Sequence, residues 1–447
     1  FGKEGGILGG LFYTFATYHA VDLYVRGDVA EFFAYAFIPL AAYGILLATR
    51  KSKLATVFIG AIGVAGIIVS HNLTAFMTMP FLLVFASILA GISWKTTHSF
   101  RRMLFAFLPI VAGVFVSAFY WLPVITEMKY TNVMSQIGGG ANFRDHFVCL
   151  SQLWYSPWGY GGSVPGCTDG LSFMVGKLHI VAVLLAISVS IVLVRRKNSF
   201  LWWIIGGIAG FIASVFFMTS FSKFIWEGIS YMAFFQYPWR FLLLASFFSS
   251  FLAAGIVGLI RIKYIRIAVV VTLAIAVIVL QTKFFVPQKM VPISSKNLIS
   301  ISTITWTTSK ISDEYMPKSF QKPSLQTDLP IAPFTVFHAE KGVLLVTEDK
   351  TQRKEVIVDS QTPSEVQANI AYFPGWKIFV DSVQQDYTIE GNGMSVQVPA
   401  GKHTVTAEYQ STLIETVSNW VTVTSILLLV LGIIYERSKL AYGKKNT

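Results

Sequence analysis

The stretch Arg50-Lys51-Ser52-Lys53, followed by LATVFIGAIGVAGIIVS over residues 54–70 and then by His71-Asn72, decides the fold. A basic stop precedes an uncharged apolar run, and a two-residue polar stop follows it before the next apolar run begins. A helix crosses a bilayer with about 20 mostly apolar residues. The same alternation continues in both directions and predicts ten spans, at 5–18, 28–49, 54–70, 73–92, 102–122, 173–194, 200–219, 239–260, 266–285 and 416–435. The polar stops between them alternate in kind. One set is basic: Arg50–Lys53, Lys95 through Arg101-Arg102, Arg195-Arg196-Lys197, Arg261 through Arg266, and Lys439 through Lys444-Lys445. Lys and Arg resist translocation, so this set marks the cytoplasmic side. The other stops (19–27, 71–72, 123–172, 220–238 and 286–415) are then extracytoplasmic.

Composition agrees. The chain is 54% hydrophobic and 13% charged, where soluble domains carry about 25% charged residues. Its net charge of +12 would suggest nucleic acid for a soluble protein. Here the excess sits in the cytoplasmic stops, and no nucleic-acid partner is expected. The sequence begins with Phe1 and shows no signal peptide before the first span, so the natural protein is expected to start further upstream.

Three regions follow: a helix bundle over 1–285, an external region over 286–415, and a final span with a basic tail over 416–447. Within the bundle, the long external loop 123–172 holds Gly138-Gly139-Gly140, a set of aromatics, and both cysteines. Cys149 and Cys167 lie in the compartment where a disulfide persists, and a bridge is expected; two free thiols with unsuitable geometry are the alternative. Over 220–238, Phe221, Ile225, Ile229, Met232 and Phe235 recur every three or four residues, which predicts an amphipathic helix in the interface plane. From about residue 333, short runs rich in Val and Thr alternate with turns such as Pro374-Gly375 and Gly391-Asn392-Gly393. The runs are 335–337, 343–346, 356–358, 366–372, 377–380, 394–398 and 404–409. They predict a small β-sandwich.

Polar groups that could carry chemistry fall in the external stops. The first cluster runs from Tyr18-His19 through Glu31 and holds Asp22, Arg26, Asp28 and Glu31. Asp28 and Glu31 are one turn apart at a helix start, where Asp28 also reads as an ordinary N-cap. Glu31 lies deeper, where a charge needs a partner or a cavity. Arg26 is its obvious partner and also a candidate phosphate ligand. The second cluster is the tight turn at His71-Asn72, where a lone His also fits a purely structural role. The third is Gln236-Tyr237-Pro238-Trp239-Arg240, in which Arg240 either grips a lipid-linked phosphate or snorkels to headgroups. Glu127 and Arg144-Asp145-His146 complete the external inventory. A zinc-type Cys/His spacing, a P-loop, a dinucleotide glycine fingerprint and a serine nucleophile elbow are all absent.

The runs Asp22 through Glu31, Ser70-His71-Asn72-Leu73-Thr74-Ala75, Phe119-Tyr120-Trp121-Leu122-Pro123 and Gln236 through Phe241 together resemble a bacterial membrane family named "6-pyruvoyl-tetrahydropterin synthase-related". Asp313-Glu314-Tyr315-Met316-Pro317, Tyr372-Phe373-Pro374-Gly375-Trp376 and Val398 through His403 are similar to that family and to YfhO-type membrane proteins. Nothing resembles the soluble pterin enzyme of the family's name. The resemblance implies a GT-C-like architecture, as in glycosyltransferases that take sugars from polyprenyl phosphates on the outer membrane face. It further implies a catalytic acid in the first external loop, which for this chain would fall upstream of residue 1.

The resulting expectation is sugar transfer from a polyprenyl-phosphate donor to an external polymer or glycolipid. Arg26, Arg240 and Tyr237 would hold the lipid phosphate. Asp28, Glu31 and His71 would assist the acceptor or a divalent cation (Mg or Mn), with Asp22, Asn72 and Glu127 as further candidates. A flippase or transporter of lipid-linked glycans and a cell-envelope scaffold are the rival readings.

Overall fold

The computed structural model describes residues 1–137, 141–195, 200–292, 294–300, 303–307, 316–337 and 343–445. Gly138-Gly139-Gly140, Arg196-Lys197, Asp313-Glu314-Tyr315 and the side chains of Lys444 and Lys445 lie outside the described residues. The chain divides into two compact units. One comprises residues 1–117, 136–290 and 423–447, and the other comprises 118–135 and 291–422.

The first unit is helical. Among the described residues, seven helices are long and apolar enough to cross a membrane: Val29–Lys51, Asn72–Thr97, Lys177–Arg195, Phe200–Met218, Pro238–Gly258, Lys263–Phe284 and Leu413–Lys439. The last of these begins in the second unit. The expected span at 102–122 is a pair of helices, Phe100–Val116 and Ala118–Tyr130, bent by 66°. Leu54–Ser70 is apolar but shorter. The first expected span is interrupted, because Gly2–Thr14 ends at Phe15 and Ala16 is extended before the turn Thr17–Ala20.

Small residues set how closely the helices approach. A Cβ added to Gly44 would lie 2.1 Å from the Gly60 Cα, and one on Gly63 would lie 2.3 Å from the Ala41 nitrogen. The helices Phe37–Lys51 and Leu54–Ser70 therefore touch backbone to backbone, as small residues permit between apolar helices. This antiparallel hairpin brings Glu31, before its first arm, to the same end as His71, after its second.

Contacts tie the basic stops together at the other end. Arg101 donates to the Ser52 carbonyl (3.0 Å) and lies 3.6 Å from Glu436. The second oxygen of Glu436 accepts from the Leu54 amide at 2.9 Å. Arg50 lies over the Trp203 ring, and Phe1 packs on Phe200. A Cβ on Gly258 would meet Phe1, and Arg266 reaches Glu4 at 3.4 Å. The helix ends near residues 52, 101, 200, 260 and 437 thus share one end of the unit, as the sequence pattern requires.

The second unit contains two antiparallel sheets. The strands are β1 (Phe334–Phe337), β2 (Val343–Asp349), β3 (Arg353–Ser360), β4 (Ser364–Ala368), β5 (Trp376–Val380), β6 (Val383–Gln385), β7 (Thr388–Glu390), β8 (Gly393–Val398) and β9 (Gly401–Tyr409). They are ordered β1-β4-β8-β7 and β2-β3-β9-β5-β6. Val366, Ala368, Met394 and Val396 of one sheet share a core with Val356, Val358, Ile378, Val405 and Ala407 of the other. That is the packing of a sandwich.

Two boundaries differ from the sequence reading. The expected strand 366–372 stops at Ala368, because the Asn369 side chain donates to Ala332 O (2.8 Å) and Thr335 Oγ1 (2.9 Å) and turns the chain out of the ladder. The expected loop 123–172 is not one piece. Residues 118–135 belong with the β unit, where the Asn132 amide donates to Met316 O (3.0 Å) and the Lys318 amide to Tyr130 O (2.7 Å).

The helix expected over 220–238 is also corrected. It is a short helix Lys223–Gly228 followed by a 3-10 turn Ser230–Phe235, with Ile229 extended between them and Gln236 at φ +63°. Gly228 weakens the helix where it ends. The proposed stripe is split as well: Phe221 and Ile229 are exposed, whereas Met232 and Phe235 are buried. Trp226, outside the stripe, is among the most buried large side chains.

Candidate functional site

A local irregularity assembles the site. The chain from Val21 to Arg26 forms a π turn that ends at Gly27 in the left-handed region (φ +66°). The Asp28 amide then bonds back to Asp22 O at 2.9 Å, and the Asp28 side chain caps the next helix through the Glu31 amide at 3.0 Å. π turns widen the helix and often mark functional positions. Here the widening places Asp22, Arg26, Asp28 and Glu31 around one point.

Arg26 occupies the middle. Its guanidinium pairs with Asp22, with Asp28 Oδ2 (2.7 Å) and with Glu31 Oε2 (2.9 Å), and it lies 4.8 Å from the centre of the Trp239 ring. Arg240 arrives from the far side of the sequence on the turn Pro238–Phe241. Its Nη1 lies 2.8 Å from Glu31 Oε2 and 3.7 Å from Asp28 Oδ2. The Tyr18 hydroxyl donates to Glu31 Oε1 (2.6 Å) and accepts from Arg26 (3.0 Å). Glu31 is fully buried and Asp22 likewise, and Asp22 Oδ2 has no hydrogen-bond partner among the described residues. A buried carboxylate without donors is costly. Burial accordingly pushes the Asp22 carboxyl well above the usual range, and the Glu31 charge adds to the push against the pull of Arg26.

His71 closes the cluster. It caps the helix Asn72–Thr97 through Nδ1, which faces Thr74 N (3.2 Å) and Thr74 Oγ1 (2.8 Å), and its Nε2 lies 4.0 Å from Asp28 Oδ2. Burial pulls its pKa below the usual imidazole value, with Glu31 opposing. The structural roles and the clustering therefore coexist: Asp28 and His71 are caps, and each also turns a polar atom toward the cluster. They are its more open members, with side chains 21% and 16% exposed, whereas Glu31 is at 0%.

Ligand atoms of Asp28, Glu31 and His71 lie within 4.8 Å of one another, and one nitrogen with two oxygens suits a cation such as Mn2+. The carboxylate oxygens are already engaged, however. Tyr18 takes one oxygen of Glu31 and the two arginines the other, and Arg26 takes Asp28 Oδ2. A cation there would compete with guanidinium for its ligands.

Other candidates lie apart. Asn72 is exposed. Glu127 belongs to the β unit, where it accepts from the Thr412 hydroxyl at 2.6 Å. Tyr237 borders the cluster as a packing group: it stacks on Trp239 (5.0 Å), meets the His146 ring edge (4.8 Å) and lies under Arg240. His146 is held by Ser163 (2.8 Å), which donates to Asp169 (3.1 Å). These residues lie beside or within the loop closed by the Cys149–Cys167 disulfide, whose Cα atoms are 5.8 Å apart. Tyr18 and Trp239 fall within the first and third clusters of the sequence but were given no role there, since nothing in their local sequence distinguishes them from ordinary buried aromatics.

No protein-family model matches the chain, and no solved structure matches it. A stretch of 127 residues is 25% identical to an uncharacterized protein of Lactococcus lactis subsp. cremoris (strain MG1363), covering 28% of this chain and 21% of that protein. The match thus spans about a fifth of that relative's length.

Proposed function

We propose that this is a GT-C-like membrane glycosyltransferase that moves a sugar from a polyprenyl-phosphate donor to an acceptor outside the cytoplasm. The observation carrying this reading is the meeting of three separate motifs at one end of the helical unit. The same motifs, around residues 22–31, His71 and Arg240, carry the resemblance to the 6-pyruvoyl-tetrahydropterin synthase-related and YfhO-type families. Sidedness follows from charge: the end bearing the basic turns is cytoplasmic by the positive-inside rule. The cluster and the disulfide then face the oxidising compartment, where such a bridge persists. The β unit would hold or screen the acceptor.

In this reaction an acceptor hydroxyl attacks the anomeric carbon, the bond from that carbon to the phosphate oxygen breaks, and the polyprenyl phosphate leaves with the bonding electrons. Arg26 and Arg240 would offset the charge growing on that phosphate, and their carboxylate partners would preorganise them without reorganisation at the moment of reaction. Asp28 or His71, at the open edge, would take the hydroxyl proton.

The test is transfer by the purified full chain from a radiolabelled polyprenyl-phosphate sugar. Removing one preorganised donor costs about 100- to 1,000-fold in turnover, and Arg26→Ala and Arg240→Ala should each lose that much. Unchanged turnover in both removes the phosphate role.

One observation favours a second reading, a flippase or transporter of lipid-linked glycans. Both guanidiniums are committed to carboxylates, and interior charge pairs of this kind also mark transport pathways. Movement of the lipid-linked glycan between leaflets without any change in its sugar would identify it.

A further inference from the structure

Outside the charge cluster, and sharing none of its residues, the helical unit holds an open cavity of about 480 Å³. Arg144, Asp145 and Lys223 are its charged lining, Ser220 adds a hydroxyl, and Val148 and Leu150 are part of its apolar lining, while the Thr219 hydroxyl is turned to Phe216 O at 3.1 Å. Two observations identify what it takes. The first is depth. Thr219 and Ser220 directly follow the span candidate Phe200–Met218, whose first residue, Phe200, packs at the end carrying the basic turns. The cavity thus sits at the opposite mouth of that span, at the level of lipid headgroups. Phe221 at the cavity and Phe224 beside it are 65% and 68% exposed, as side chains that enter the acyl boundary are.

The second observation is charge. Arg144 Nε lies 3.0 Å from Glu227 Oε1, and Lys223 Nζ lies 4.0 Å from the same oxygen. Two exposed cations share one carboxylate oxygen, and exposed pairs of this kind are weak. A phosphate carries more charge than Glu227 and would compete for both against the opposing charge of Asp145, with Arg144 offering a forked donor and Lys223 a point charge.

We propose that this cavity binds the phosphate headgroup of an anionic membrane lipid, with the acyl chains running past Phe221 and Phe224. The inference rests on the membrane reading of the helices and is independent of any glycosyl transfer.

Native mass spectrometry of the delipidated full chain tests it, with phosphatidylglycerol, phosphatidylcholine and inorganic phosphate as separate probes. Each basic side chain near a lipid surface contributes about fivefold in affinity. The double variant Arg144→Gln/Lys223→Gln should lose roughly 30-fold for phosphatidylglycerol on the same basis. Glu227→Gln releases both cations and should bind phosphatidylglycerol severalfold tighter, a gain that damage to the fold does not produce. Unaltered phosphatidylglycerol binding in the double variant, or weaker binding in Glu227→Gln, overturns the proposal. Equal retention of phosphatidylcholine overturns it too, as does displacement of the lipid by equimolar inorganic phosphate, which would mark a site for a soluble anion. If the double variant fails to fold, the direction of change in Glu227→Gln decides.

Discussion

Glu31 has no exposed surface, and its two oxygens accept from Tyr18, Arg26 and Arg240. Neutralising it leaves two buried guanidiniums short of a counter-charge, and breaking a buried pair this way costs about 3–5 kcal/mol. Asp22 is equally buried, but among the described residues its side chain has Arg26 as its one side-chain partner, and its second oxygen accepts no hydrogen bond. Glu31→Gln should therefore lower the melting temperature of the detergent-purified protein far more than Asp22→Asn; equal losses would contradict this ranking. The pairing of Arg26 with Glu31 was readable from five residues of separation, but the Arg240–Glu31 contact spans 209 positions, and no local pattern encodes it. Buried histidines supply a second prediction. Burial pulls His19 down to about 4, and its Nδ1 faces Thr14 O at 2.9 Å. The unfolded chain therefore takes up a proton near pH 6.5 that the folded chain refuses until about pH 4. Stability should fall by about 3 kcal/mol as pH drops across that window, with His71 adding in the same direction. A His19→Gln variant should melt with a visibly flatter pH dependence between 6.5 and 4.

At the scale of the element, the π turn Val21–Arg26 depends on Gly27 at φ +66°. A Cβ there would meet no neighbouring atom, so Gly27→Ala isolates the backbone cost of a left-handed residue, about 1–2 kcal/mol. A modest fall in melting temperature is expected, and none at all would mean that the turn relaxes freely. The sequence marked these residues as a polar stop, but a π turn has no simple periodicity and was not legible. The β unit was more readable, because alternation and turn residues announce strands directly. Its short strands β6 and β7 were missed, having too few residues to show a period. The hairpin joining β5 to β6 carries Asp381 and Ser382 at φ +49° and +68°, and Asp381 Oδ2 pairs with His403 Nδ1 at 2.6 Å. That bond raises the His403 pKa and, with the Thr404 amide, lowers that of Asp381. Its contribution to stability is lost as pH rises through the raised His403 pKa, and also as pH falls through the lowered Asp381 pKa. The gap in melting temperature between the parent and His403→Ala should be widest between about pH 4 and 6.5 and close by pH 9. A gap constant with pH would show that the ion pair contributes nothing.

For the whole molecule, the deciding quantity is the distribution of positive charge over the ends of the helical unit. The apolar runs and the alternation of their stops were legible because insertion acts on composition alone. The structure adds that helix ends flanking the basic stretches meet one another, through Arg101 with Ser52 and Glu436, Arg50 with Trp203, and Phe1 with Phe200 and Gly258. The site lies at the other end, since Glu31 begins and His71 follows helices whose far termini reach those turns. What composition could not supply was the assignment of residues 118–135 to the β unit, which depends on backbone bonds to residues 316–318. If the basic end faces the cytoplasm, a single cysteine introduced at Gly162, in a variant with both native cysteines replaced by serine, reacts with a membrane-impermeant maleimide added to intact cells. A cysteine at Arg195 in the same background stays protected until the cells are opened. The reverse labelling would place Arg26, Glu31, His71 and Arg240 in the reducing compartment. Both the lipid-phosphate reading and the persistence of the Cys149–Cys167 bridge would then fail together, because each depends on the same side of the bilayer.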